Sequence, residues 1–169
     1  KELLWNGKAG LIAAVTPIIE KSHAVTSVMG ERFLMCRIGS DLDTTIRQAR
    51  KALSSSGSEK AMRERLQALA GELMKGADTW DPPELPSSLE NRLADLSLFV
   101  SRARSSVMRD GRSREIEYIP DPEAPARIAK QFKALFIGLL LIGCTVEEAW
   151  EAVRKTGLDS VPDLRLRAF

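Results

Sequence analysis

The sequence predicts a mainly α protein in which two short strands of an incomplete α/β sheet precede a helical bundle with a small β-arm. Three observations carry that expectation. Two continuous apolar runs, Gly10–Thr16 and Arg32–Ile38, sit among Pro and Gly breakers near the start of the chain. From Ser40 onward the apolar period becomes helical. A turn-punctuated stretch, Gly111–Pro125, encloses the β-prone run Glu115–Ile119 (EIEYI).

The first run, GLIAAVT, ends at Thr16 before Pro17 and reads as a fully buried strand. Its companion, RFLMCRI, lies between Gly30 and Gly39, and residues 17–31 are long enough for the crossover that parallel neighbours need. Two such strands do not make a covered sheet, and Lys1 stands where Met is expected, so the sequence reads as a fragment. The helices follow from spacing. Met62, Leu66, Leu69 and Leu73 mark one face, Leu89, Leu93, Leu96 and Val100 a second, and Ile128, Phe132, Leu135, Leu139 and Ile142 a third. Val146, Ala149, Trp150 and Val153 give a last amphipathic helix. Ser87 with Glu90 and Thr145 with Glu148 have capping-box spacing. Asp110-Gly111 signals a turn, which places the arm at 109–120.

The 169 residues, 44% apolar and 28% charged with a net charge of +2, describe a packed core and leave the partner's charge open. Two cysteines among apolar residues and a single His23 support neither a disulfide framework nor a zinc site, and a reducing cytoplasm is the expected setting. Phe132–Cys144 is interrupted by Lys133 and is too short to span a bilayer, so no membrane partner is expected. His23 has no nucleophile elbow or Cys partner, and Glu147, Glu148 and Glu151 read as the wet side of a helix.

An apolar strand ending in Thr16, followed by Gly30-Glu31-Arg32-Phe33 and a second strand, resembles the sensor-1 to arginine-finger stretch of AAA+ ATPases. Glu31-Arg32-Phe33 is similar to the Ser-Arg-Phe element of minichromosome-maintenance helicases, and Glu123–Arg127 to the start of the lid helix that carries the sensor-2 arginine. Arg104–Arg127 and Leu158–Pro162 look like phage- or mobile-element-type ATPases whose chains continue into a winged helix.

The resemblance implies three parts: the end of an ATPase core at 1–39, a helical lid at 40–157, and the start of a truncated C-terminal region at 158–169. It also implies roles. Thr16 orients the attacking water, Arg32 reaches the nucleotide of a neighbouring subunit in a homo-oligomeric ring, and Arg127 moves the lid onto the phosphates. DNA is the implied partner of the parent, with ATP and magnesium as its cofactors. No G-x-x-x-x-G-K-[ST] run exists, since Asn6-Gly7-Lys8-Ala9 lacks both the leading Gly and the Ser/Thr, and no strand ends in Asp-Glu. The chain alone is therefore expected to bind no nucleotide and to be catalytically silent.

Each role has a plainer alternative. Thr16 and Arg32 are ordinary strand-end residues, and Arg127 pairs with Glu123 at four-residue spacing. Arg102, Arg104, Arg109, Arg112 and Arg114 form either a DNA-tracking arm or a solvated helix end complementing the helix dipole. The reading from another class is a non-enzymatic helical module that binds DNA or protein.

Overall fold

The computed structural model describes residues 11–16, 33–39, 41–75, 79–105, 107–113, 115–119 and 121–168. Helices α1 (Leu42–Ser54), α2 (Glu59–Leu73) and α3 (Ser87–Ala103) come first. Strands β1 (Met108–Arg109) and β2 (Ile116–Tyr118) follow, then helices α4 (Ala126–Leu141), α5 (Val146–Asp159) and α6 (Asp163–Leu166). Among the described residues the chain is mainly helical with two short strands.

Those strands form the arm. Met108 faces Tyr118 and Arg109 faces Ile116 across an antiparallel pair with one irregularity between Met108 and Arg109. The two opening runs make no strand pairing within the described residues, which corrects their placement in a sheet. A strand needs partners for its alternate amides. Residues 11–16 are exposed, with Leu11 at 69% and Ile12 at 101%. Two alternate amides of residues 33–39 find partners on a helix end instead. Met35 N–H donates to Ser160 Oγ at 3.0 Å and Arg37 N–H to Asp159 Oδ2 at 2.7 Å. Leu34, just before them, packs on the core, and Cys36, expected inside a strand, is exposed.

The core lies where α3, α4 and α5 pack pairwise. Leu89, Leu93 and Val100 of α3 meet Ile128, Phe132 and Phe136 of α4 and Ala149 and Val153 of α5, all buried. Gly157 fixes how closely these helices approach, because a Cβ there would stand 3.0 Å from the Phe132 ring tip and 3.2 Å from Leu96. Helix α5 runs through the boundary expected at 157. Val161 is fully buried, Leu166 packs on the same core, and Arg165 donates to Ala103 O at 2.9 Å and to Ser105 O. Residues 158–168 thus complete the bundle.

The two capping boxes part company. Thr145 accepts from Glu148 N–H while the Glu148 carboxylate accepts from Thr145 N–H, closing the box at α5 and holding that carboxyl below its usual range through the backbone bond first. At α3 the cap is extended Pro86, without a side-chain bond, and Ser87 is already helical. Glu90 turns to Lys133 of α4 at 2.7 Å instead.

Candidate functional site

One carboxylate serves two arginines where α3 ends and α4 begins. Arg104 caps α3 and is 3% exposed, and its guanidinium donates to Glu123 Oε2 at 3.0 Å. Arg127, in the first turn of α4, lies 3.0 Å from Glu123 Oε1 with its side chain 49% exposed. Sequence explains the arrangement. Pro125 fixes its own φ near the helical value and is the N-cap of α4, so Glu123 is left two residues before the cap and four before Arg127. The sum of these charges is one positive unit, and Arg127 carries it to the surface. Helix α4 begins with no side-chain cap and no acidic residue in its first turn, so the positive end of its dipole faces the same way.

The other expected site residues are scattered. Thr16 is exposed and outside any strand. Arg32, Arg114 and His23 lie outside the described residues. Arg104, expected to contact nucleic acid, is buried in the bundle and bonded to Glu123, which suits a structural post. Arg102 falls in the last turn of α3, where a cation complements the dipole. Arg109 and Arg112 are exposed on the arm. There Asp110 accepts from Ser113 N–H at 2.5 Å and Arg112 N–H at 2.8 Å, bonds that tie the turn and lower its carboxyl pKa, Ser113's contributing most. Residues 107–120 carry three arginines and three carboxylates, and Met108, Ile116, Tyr118 and Ile119 are exposed beside them.

Two features escaped the sequence. The first is the strap formed by residues 33–39. Arg37 donates to Val161 O at 2.9 Å, while Lys155 donates to Arg37 O at 2.7 Å and pairs with Asp159, whose hydrogen bond is the main cause of a raised Lys155 pKa. Its only sequence signal is the polar Arg37 interrupting an apolar run. The second is a cleft of about 390 Å³ between α3 and α5, floored by Leu96, Phe99 and Leu158, where Arg92 lies 4.0 Å above the Trp150 ring. Arg154 at its rim is held by Glu151 at 2.7 Å.

Among the described residues no group of His, Cys, Asp and Glu side chains is arranged to hold a metal, and no helix is long and apolar enough to cross a membrane. Comparison with known protein families, curated proteins and solved structures finds no match.

Proposed function

We propose that this chain supplies the sensor-1, arginine-finger and lid elements of an AAA+-like ATPase that works on DNA. The observation that carries the reading is Arg127, a half-exposed cation in the first turn of an uncapped helix whose counter-ion is already neutralised from within by Arg104. With Glu123 already paired to Arg104, the partly exposed Arg127–Glu123 pair contributes about 1 kcal/mol, so a phosphate displaces it at modest cost. That phosphate would then meet a planar guanidinium together with free amides at the positive end of a helix. The roles of Thr16 and Arg32, orienting water and reaching a neighbour's nucleotide in a ring, rest in this proposal on the sequence resemblance alone, since Thr16 stands outside any strand and Arg32 outside the described residues. The phosphate loop and the magnesium-holding carboxylates belong to parts of the parent that this sequence does not contain, and the chain alone is silent.

The test is ATPase activity of the full-length gene product, at low and high protein concentration and with and without DNA. Arg32→Ala is expected to lower turnover roughly a thousandfold while ATP still binds. Arg127→Ala is expected to cost about ten- to a hundredfold in nucleotide affinity or turnover. An active enzyme indifferent to both substitutions overturns the reading.

A second reading rests on the arm. Its arginines are balanced by carboxylates and flanked by exposed Met108, Ile116 and Tyr118, a surface better matched to protein than to DNA phosphates. If Arg109→Ala/Arg112→Ala leaves DNA stimulation and its salt dependence unchanged, the arm serves a protein partner.

A further inference from the structure

Helices α1 and α2 bury no residue. On α2, Met62, Leu66, Leu69 and Leu73 are 41%, 66%, 56% and 53% exposed. Their spacing alternates four, three and four residues, which makes a narrow seam of the coiled-coil kind rather than the broad stripe of a helix lying on a globular core. A seam of that width is covered by one other helix. Flanking charges decide which one.

Taking Leu66 and Leu73 as core a positions and Met62 and Leu69 as d, the flanking positions are Arg63 and Ala70 on one side and Arg65 and Glu72 on the other. If α1 covered α2 as an antiparallel neighbour, with its matching seam of Leu42, Ile46, Ala49 and Leu53, Arg50 would stand against Arg63 and Arg65 would meet Ala52. That pairing has one repulsion and no attraction. Two copies of α2 laid antiparallel behave differently. Leu66 of one meets Leu69 of the other, and Met62 meets Leu73 at both ends. Arg65 then lies beside Glu72 of the second copy, twice by symmetry, while Arg63 faces the neutral Ala70. Glu72 is held by Lys75, an exposed pair at 2.5 Å that is readily exchanged.

We infer that α2 is a self-association surface, pairing antiparallel with α2 of a second copy across a two-fold axis. Such an interface is closed and isologous, so it makes dimers and is distinct from the head-to-tail contacts of a ring. The inference does not depend on the nucleotide reading.

Sedimentation of this chain over a range of concentrations tests it, beside thermal melting of the same samples. The wild type is expected to run as a dimer and Leu66→Glu as a monomer, with the melting of the α3–α5 bundle unchanged because Leu66 is outside that core. Arg65→Glu is expected to weaken the dimer roughly tenfold or more, and Arg65→Glu/Glu72→Arg to restore it. A wild type that stays monomeric at every concentration overturns the inference, as does a dimer indifferent to Leu66→Glu. Failure of the double reversal to restore association overturns the antiparallel pairing.

Discussion

Two regions of this molecule carry apolar stripes at helical spacing, and only one of them is covered. In α3–α5 the stripe residues Leu93, Val100, Ile128, Phe132 and Val153 are buried, whereas in α1–α2 Leu42, Leu53, Leu66 and Leu69 are more than half exposed. Periodicity fixes which face of a helix is apolar; it does not say what lies against that face. Stripe width is the better guide. Helix α4 adds Phe136 and Leu140 to its predicted residues, broadening its apolar face, while α2 keeps to a narrow seam.

The comparison breaks most sharply at one residue from each region. Phe132→Ala is expected to cost about 3–5 kcal/mol in denaturant unfolding, and Leu66→Ala in the monomer less than about 0.5 kcal/mol. Equal losses would mean that α2 has a cover of its own. Next come the two arginines that share Glu123. Arg104→Ala removes the buried partner and is expected to cost about 2–3 kcal/mol, since Arg127 still compensates the carboxylate. Arg127→Ala is expected to cost less than about 1 kcal/mol because that side chain is half exposed. Reversed magnitudes would make Arg127 the structural member.

Gly157→Val tests the tightest point of the bundle. Overpacking against Phe132 and Leu96 is expected to lower stability by about 1–3 kcal/mol, read as a fall in Tm. Caps give smaller effects. Thr145→Ala is expected to cost about 1 kcal/mol in the cooperative melt, whereas Asp41→Ala, whose carboxylate caps α1 through Thr44 N–H at 2.7 Å, should reduce helicity without moving that melt. The smallest effect follows pH. Lys155 has a raised folded pKa, so its hold on the strap is complete below its unfolded pKa of about 10.4 and is lost as pH rises through the folded value. Protease susceptibility of residues 33–39 is expected to rise only in that alkaline window.

Much of the bundle was legible in the sequence, because apolar spacing and the Thr145–Glu148 box are local signals and the arm announced itself through Asp110-Gly111 and EIEYI. The strap was not. A run such as RFLMCRI suits a buried strand and an extended segment on a helix end equally well, and only the position of Asp159 and Ser160 in space separates the two. The Ser87–Glu90 spacing misled because Lys133, distant in sequence, offers Glu90 a better partner. Of the site, the Glu123–Arg127 pair was readable at four-residue spacing. The burial of Arg104 was not, since a cluster of arginines gives no sign of which member faces inward.

The strap has a consequence in time. Its hydrogen bonds join residues separated by 118 to 125 positions. At synthesis rates of about 5–20 residues per second, residues 33–39 emerge roughly 6–25 s before their docking site exists. During that interval Leu34 and Met35 lack the helix end that receives them, and even afterwards a long loop must close before the contact forms. The strap therefore waits for the last helical turn of α5 before it can be secured. A nascent chain arrested before Asp159 presents an uncovered greasy segment to whatever chaperone is nearby.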